Sequence, residues 1–379
     1  MNGEKEYLID LLSCFLGHKQ PQARQADWAE LYRLADIHDV GAIIAHEMAQ
    51  LPEEYQAEAP YRSYFHQVIG RTLQSFELRQ RAYAEIKAFL TERKIDHIFV
   101  KGILVKDYYP IPEFRTSGDI DVIVRPDMLE QIKALSVEQG YRIVNYVSDT
   151  LTVNVVGIDV EIHSNADVLT HYFDDIFALC YQSGYCYSLN EYDHLLYVLC
   201  HLAKHLTYRG AGIRMLMDLD VLIRGMAAFD EDKFIVLCQK AGLQKTAETM
   251  LSLCRLWFDT PVKAYVNFEE NAALLEKLET VFIDGGSFGY EQNAIPARYF
   301  SADANDSRVK VLLRMAFPSR EYLKIAYPYY AKHTFLYPVA RLHRLFDGLF
   351  RKRRSAVSAM KQVYGENTPD MQLQLLKEL

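Results

Sequence analysis

The sequence lacks several features that would assign a chain of 379 residues to a specialised class of protein. It has only six cysteines, and none of them stand in C-x-x-C spacing, so we expect buried free thiols rather than a disulfide framework or a zinc site. No apolar run approaches the ~20 residues of a membrane-spanning helix. The net charge of −8 provides no general attraction to nucleic acid or to an anionic membrane.

What is present is the composition of an ordinary globular protein, 50% hydrophobic and 24% charged. The length indicates two or three domains. The first ten residues, MNGEKEYLID, lack the basic-then-apolar order of a signal peptide. These features together predict a cytoplasmic protein without a membrane span.

Hydrophobic periodicity divides the chain into four regions. They are, in order, the helical residues 1–92, the α/β residues 93–165, the helical residues 166–282, and residues 283–379, a Gly-rich loop followed by a helical aromatic and basic tail. Within the first region one helix is predicted over 27–51, with Asp27 as its N-cap. The second region follows the order β-α-β-α-β-β-β. The predicted fold class is therefore α+β, a small mixed-sheet core embedded in mainly helical N- and C-terminal regions.

Two aspartates open a predicted buried strand, DIDVIV at 119–124. Asp119 and Asp121 are two residues apart, so both project from the same face of that strand. Close carboxylates repel unless a cation neutralises them, and hard oxygen ligands suit Mg²⁺ or Mn²⁺. Glu161, flanked by apolar residues in the later strand IDVEIH, is a candidate third carboxylate. The alternative is that one aspartate caps a turn and the other is solvated on an edge strand.

Lys101 and Gly102 stand between the predicted strand IDHIFV and a short helix. Backbone N–H groups and the helix dipole at such a junction favour a phosphate group. The order of elements is then a strand, Lys-Gly, a helix, a strand with D-x-D, and a third acid. The complete order of elements indicates a particular class of protein more strongly than any single motif in it does.

These motifs resemble those of the nucleotidyltransferase superfamily that includes DNA polymerase β. The chain is more similar still to the bacterial nucleotidyltransferase family proteins, whose substrates are largely unassigned. One departure is that Ile103 stands where the superfamily has Gly or Ser after the first Gly. The stretches that carry the resemblance extend over most of 98–330 and include VKGILVKDYYP, RTSGDIDVIV, VEIHSNAD, HLAKH, GIRMLMDLDVLI and FPSREYLKIAYPYY.

The resemblance implies a metal-dependent enzyme that moves a nucleoside monophosphate from an NTP to a hydroxyl acceptor and releases pyrophosphate. Asp119 and Asp121 would bridge two Mg²⁺ or Mn²⁺ ions, and Glu161 would hold the ion on the nucleophile's side. Replacing either aspartate by Asn would abolish this chemistry and relieve carboxylate repulsion in the metal-free protein. The acceptor stays open between a small molecule, a tRNA end and a protein side chain. The residues expected to bind the triphosphate are Lys101, Gly102, Arg115, Ser117 and Gly118.

The helices after the predicted core are expected to complete the cleft, and they carry several basic residues. His201 and His205 lie one helical turn apart, but no glutamate between them supports a zinc-protease interpretation. With Arg214 they are candidates for nucleotide or acceptor contacts, while a structural histidine pair stays open. Arg214 and Asp218 have the spacing of an ion pair on one helix face. His163, in the strand of the third acid, supports the site or is structural.

The basic stretch ARLHRLFDGLFRKRR at 340–354 has apolar residues at helical spacing. It either packs its apolar stripe on the protein or touches RNA or a membrane surface. Two further hypotheses compete with an enzyme. One is a nucleotide-binding or regulatory protein on a degenerate nucleotidyltransferase scaffold, and the other is a helical interaction protein whose acids are structural.

Overall fold

The computed structural model describes residues 3–147, 149–208, 211–286 and 337. Contacts divide the chain into two compact units. The larger unit contains the described residues up to 204 together with 213–271, and the smaller contains 205–208, 211–212, 272–286 and 337. The basic stretch 340–354 and all but a few residues of the predicted tail lie outside the described residues. Among the helices that are described, none has the length and apolar character to cross a membrane.

The larger unit begins with four helices: α1 (Gly3–Gly17), α2 (Trp28–Ile37), α3 (Gly41–Met48) and α4 (Tyr61–Glu92). Asp27 caps α2, because its side chain accepts from the backbone N–H groups of Ala29 and Glu30. The single helix predicted over 27–51 is wrong. Asp39 takes a positive φ of 53°, which ends α2 and redirects the chain into α3.

A seven-stranded mixed sheet follows and confirms the predicted α+β fold class. Its spatial order is β3-β4-β5-β2-β1-β7-β6, in which β2 is antiparallel to β1 and parallel to β5. Two short helices, α5 (Gly102–Val105) and α6 (Leu129–Glu138), follow β1 and β2. The strands are β1 (His97–Val100), β2 (Asp119–Val124), β3 (Arg142–Val147), β4 (Thr150–Val155), β5 (Ile158–His163), β6 (Cys180–Ser183) and β7 (Cys186–Leu189).

Strands β6 and β7 lie in a segment for which the sequence predicted helices. They form a hairpin that turns at Gly184, whose φ is 63°. β7 joins the sheet through only two residue pairs with β1, His97 with Cys186 and Ile98 with Tyr187. Each strand has four residues and is largely exposed or half-buried, so hydrophobic periodicity gave no strand signal there.

One face of the sheet packs into an apolar core, and the carboxylates lie on the other face. Val122 of β2, Val153 of β4 and Val160 of β5 are fully buried on the apolar face. They pack against the buried residues of α4 and α6, such as Ile86 and Ile132. Because side chains alternate along a strand, Asp119 and Asp121 project from the opposite face.

Four helices complete the described part of the larger unit: α7 (Glu191–Tyr208), whose last residues belong to the smaller unit, α8 (Ile213–Gly225), α9 (Glu231–Lys240) and α10 (Gln244–Phe258). Asp220 of α8 is fully buried and accepts hydrogen bonds from Arg224 and from Thr260. Arg224 also donates to the carbonyl of Phe258, which fixes α8 against the end of α10. In the smaller unit, α11 (Ala272–Glu279) continues into a π-helical turn, Thr280–Asp284.

Candidate active site

The three predicted carboxylates share one face of neighbouring strands. In the parallel pairing of β2 with β5, Asp121 lies beside Glu161 and Asp119 lies beside Asp159. Asp121 is nearly fully buried, whereas the Glu161 side chain is 39% exposed. Glu161 is therefore the acid of this pair that a molecule arriving from solvent reaches first.

A histidine joins two of these acids. One ligand atom each from Asp121, Glu161 and His163 lies within 4.8 Å of the others. His163 Nε2 is 3.0 Å from Asp121 Oδ1 and 3.6 Å from Glu161 Oε2. The E-x-H spacing in β5 was the sequence signal for this contact, although it did not distinguish a ligand from a structural residue. Asp119 stands next to this set, where its Oδ1 is 3.4 Å from the Ser117 hydroxyl.

The acids differ in their electrostatic environments. Burial raises the pKa of Asp119, and the charge of Asp121 raises it further. Burial likewise raises the pKa of Glu161, with added repulsion from Asp121 and Asp119. Burial alone would also raise the pKa of Asp121, but Lys101 and His163 overcome it and hold that pKa well below its usual value. The ionised cluster therefore has excess negative charge at Asp119 and Glu161.

Lys101 supplies the counter-charge for Asp121. Its Nζ lies 2.6 Å from Asp121 Oδ1, and the side chain is 13% exposed. The residue precedes α5 with φ 61° and ψ −138°, a conformation that costs a non-glycine residue energy. Burial lowers the pKa of Lys101, but the charge of Asp121, its hydrogen bond with Lys101 and the charges of Asp167 and Asp119 together raise it more, so the ammonium persists. The strand–helix junction thus directs a lysine into the carboxylate cluster.

Gly102 makes room for an arginine. A Cβ at this position would overlap Arg115 Nη1 and lie 2.9 Å from Arg115 Cζ and 3.2 Å from Ser117 Oγ. Arg115 is held in place by Asp218, to which its Nη2 and Nε donate at 2.6 and 3.2 Å. Tyr109 also donates to Asp218, at 2.7 Å. Glycine is therefore required here by the close approach of a fixed guanidinium.

Arg214 contacts the loop before β2 from α8. Its Nη1 donates to the carbonyl and the hydroxyl of Thr116, both at 2.7 Å, and its Nη2 lies 3.3 Å from Asp39 Oδ2. The ion pair with Asp218 that helical spacing favours is not the one that forms, because the fork of Arg115 takes both oxygens of Asp218. Gly118, in the same loop, is exposed, and a Cβ there would meet no described atom within 4 Å.

Arg79 of α4 also contacts the loop before β2, and the sequence did not indicate this contact. Its Nη1 donates to the carbonyl of Ser117 and to the Ser75 hydroxyl, both at 2.7 Å, and the residue is 4% exposed. Burial, followed by the charges of Arg115 and Arg214, lowers its pKa to about 10. The sequence of α4 does not distinguish Arg79 from its exposed neighbour Arg81. The difference between them is the contact of Arg79 with the loop before β2, which forms only in the folded protein.

The histidines predicted for the site both lie on α7. His201 and His205 are half-buried and stand one turn apart, as their spacing predicts. His205 belongs to the smaller unit, whereas His201 belongs to the larger. Their roles in binding remain predictions.

The mixed sheet, its acidic face and the neighbouring basic cluster fit a nucleotidyltransferase. Comparison with protein families gives a match to the model of a family described as uncharacterised nucleotidyltransferases, over residues 24–259. The match covers well over half of the chain, and the protein belongs to this family. The matched range includes the three carboxylates and the three arginines described above, which are Asp119, Asp121, Glu161, Arg79, Arg115 and Arg214. No curated protein matches the sequence.

Proposed function

We propose that the protein transfers a nucleoside monophosphate from an NTP to a hydroxyl acceptor and releases pyrophosphate. The observation that best supports this proposal is the meeting of two opposite charge clusters at the start of β2, a central strand of the sheet. Asp119, Asp121 and Glu161 form the acidic cluster, and a basic cluster of Arg79, Arg115 and Arg214 surrounds the loop just before β2. Nucleotidyl transfer requires both, because metal ions and cationic side chains share the charge of the triphosphate.

The acidic residues fit a divalent cation. Their donors are carboxylate oxygens. Burial, with added repulsion between the carboxylates, raises the pKa of Asp119 and Glu161, and a cation would neutralise the charge that these acids carry when ionised. Asp119, Asp121 and Glu161 would hold Mg²⁺ or Mn²⁺. Such an ion would make the acceptor hydroxyl more acidic and stabilise charge on the phosphates.

The basic cluster is suited to the triphosphate. Among the described residues, the ion pairs of this cluster join Arg115 to Asp218 and Arg214 to the half-exposed Asp39. Burial and repulsion from Arg115 lower the pKa of Arg214. A bound phosphate would offset this repulsion and accept hydrogen bonds from the guanidinium groups. Lys101, on a flexible side chain, can turn from Asp121 to a phosphate oxygen, and the loop residues Ser117 and Gly118 lie between the two clusters.

Glu161 is our candidate for the proton acceptor. Its raised pKa makes the ionised carboxylate a better base than an ordinary glutamate, and its exposure lets a hydroxyl reach it. The acceptor must approach in line with the departing pyrophosphate, so it enters from the side of Glu161. We assign to His201 and His205 a role in binding the acceptor or the nucleotide. The acceptor is a small molecule, a tRNA or a protein. We place the reaction in the cytoplasm, where the NTP substrate would be drawn from the cellular pool.

The test uses each NTP labelled either at the α- or at the γ-phosphate, with Mg²⁺ or Mn²⁺ and a cell extract. We expect the α-label to appear on an acceptor and the γ-label to leave as pyrophosphate. Glu161→Gln should lower the transfer by about 10²-fold or more, the usual effect of losing a proton acceptor. Transfer of the γ-label, or equal transfer by Glu161→Gln, would contradict the proposal.

A second candidate is a nucleotide-binding protein without turnover, and the ion pair between Lys101 and Asp121 favours it. The pair neutralises a predicted metal ligand with a residue of the chain itself. This candidate predicts that nucleotide binding persists at full strength in EDTA. The enzyme predicts that EDTA weakens binding and abolishes transfer.

A further inference from the structure

The imidazole of His163 is buried beside two carboxylates. It is 3% exposed and projects from β5 on the same face as Glu161, two residues away. Its Nε2 lies within 3.6 Å of an oxygen of Asp121 and an oxygen of Glu161. A ring nitrogen in this position needs either a proton or a metal ion between itself and the carboxylates, because its lone pair would otherwise face theirs.

The other ring nitrogen has a partner that fixes the ring. His163 and Thr150 are paired across β5 and β4, and Nδ1 is 3.2 Å from the Thr150 hydroxyl. When Nδ1 donates its proton to that hydroxyl, the lone pair of Nε2 is directed at Asp121 and Glu161. Metal-binding histidines are commonly oriented in this way, by a hydrogen bond from the nitrogen that does not bind the metal.

We infer that His163 Nε2 is a ligand of the cation held by Asp121 and Glu161, and that this nitrogen makes the site prefer Mn²⁺ over Mg²⁺. The inference rests on the proposed function for the presence of a cation. It adds a ligand that the three-carboxylate arrangement does not contain, and it chooses between two metals that the carboxylates alone leave open.

The preference follows from the ligand chemistry. Mg²⁺ requires near-ideal octahedral oxygen coordination and seldom accepts imidazole. Mn²⁺ is a transition-metal ion that accepts an imidazole nitrogen beside carboxylate oxygens, so a site of two carboxylates and one histidine favours it over Mg²⁺. Asp121 Oδ1 also receives Lys101, so the imidazole compensates for a carboxylate that is partly engaged.

The experiment measures metal binding to the full chain without nucleotide. Free Mn²⁺ is followed by its electron paramagnetic resonance signal, which binding removes, and Mg²⁺ is followed by calorimetry. We expect the unsubstituted protein to bind Mn²⁺ at least about tenfold more tightly than Mg²⁺. His163→Gln should remove most of that preference, because the amide offers an oxygen that either metal accepts. Thr150→Val should weaken Mn²⁺ binding by about tenfold through loss of ring orientation.

His171→Gln is the matched control, because His171 is 99% exposed, and it should leave both affinities unchanged. The inference is overturned if the metals bind equally in the unsubstituted protein. It is also overturned if neither His163→Gln nor Thr150→Val changes the ratio while labelled NMP is still transferred, an outcome that leaves the proposed function standing. Absence of binding by both metals, with no transfer, would overturn the inference and the proposed function together.

Discussion

At the scale of single residues, the two aspartates of β2 are not equivalent in the metal-free protein. The sequence led to the expectation that either Asn substitution would relieve repulsion. The structure assigns that relief to Asp119, whose pKa is raised by burial and by Asp121. Asp121 is ion-paired with Lys101 and hydrogen-bonded to His163, so its charge stabilises the fold. For Asp121 the structure therefore leads to a different prediction, because the sequence did not reveal its counter-ions.

We therefore predict opposite shifts in melting temperature for the two substitutions. Ionised Asp119 opposes folding above its unfolded pKa of 3.8, so Asp119→Asn should raise the melting temperature at pH 7. Asp121 has a lowered pKa, so its contribution is present above pH 3.8 and is lost as the pH falls below that value. Asp121→Asn leaves Lys101 buried without its partner and should cost about 3 kcal/mol at pH 7.

Thermal unfolding in EDTA at pH 7 measures both effects without bound metal. Both substitutions should also abolish NMP transfer, so activity does not separate them and stability does. A rise in melting temperature for Asp121→Asn would show that Lys101 does not stabilise that carboxylate.

At the scale of elements, the junction between β1 and α5 sets the position of Arg115. Gly102→Val would place atoms where the Arg115 guanidinium lies, and the pair with Asp218 prevents that guanidinium from yielding easily. We predict a loss of about 3 kcal/mol in the free energy of unfolding, as expected when a buried ion pair is broken, and weaker nucleotide binding. Urea denaturation and nucleotide titration measure the two losses.

The control for this substitution is Gly70→Ala in α4. A Cβ at Gly70 meets no described atom within 4 Å, so this change should stabilise the helix by up to about 1 kcal/mol. Unchanged nucleotide affinity in Gly102→Val would remove the junction from the triphosphate site.

Helix α3 contains a further buried acid, Glu47, away from the proposed site. It is 1% exposed, and within the described chain its Oε2 accepts no hydrogen bond, while Oε1 accepts from Gln50 at 3.0 Å. Burial raises its pKa to about 7. Between pH 4.5 and 7 the folded protein therefore keeps a proton that the unfolded chain releases, so stability falls as the pH rises through this window and then levels off.

We predict that Glu47→Gln abolishes this fall. The variant should be more stable than the unsubstituted protein by about 2 kcal/mol at pH 8, with little difference at pH 4.5. Urea denaturation at the two pH values measures it, and Glu77→Gln, at an exposed position of α4, serves as the control. A difference between the proteins that stays constant with pH would exclude titration of Glu47 as its cause.

At the scale of the whole molecule, the sequence predicted what short-range periodicity determines. The strand DIDVIV, the shared face of Asp119 and Asp121, and the partnership with Glu161 all follow from alternation and apolar flanks. Contacts between distant segments were not predictable in this way. Arg79 is 38 residues from Ser117, and Arg115 is 103 residues from Asp218, so only the assembled fold brings each pair together. The basic cluster was therefore only partly predicted.

Because the basic cluster draws on α4, the loop before β2 and α8, a triphosphate bound there should connect three distant parts of the chain. We predict that Arg79→Met weakens NTP binding by about 10- to 100-fold, the value of one or two charge-assisted hydrogen bonds. The substitution keeps most of the apolar volume and removes the charge. Ligand binding raises stability in proportion to the logarithm of ligand concentration over Kd, so the rise in melting temperature caused by saturating NTP should shrink correspondingly.

The matched control is Arg81→Met, two residues along α4 at an exposed position, which should bind NTP like the unsubstituted protein. Measuring both variants against ionic strength separates the site from general attraction, because screening weakens exposed charges more than buried ones. If Arg79→Met loses stability yet keeps its NTP affinity, Arg79 only supports the loop through Ser117. If both variants lose affinity equally, the attraction is a property of the helix surface. Loss in Arg79→Met alone, persisting at high salt, would place a buried guanidinium of the N-terminal helices in the nucleotide site.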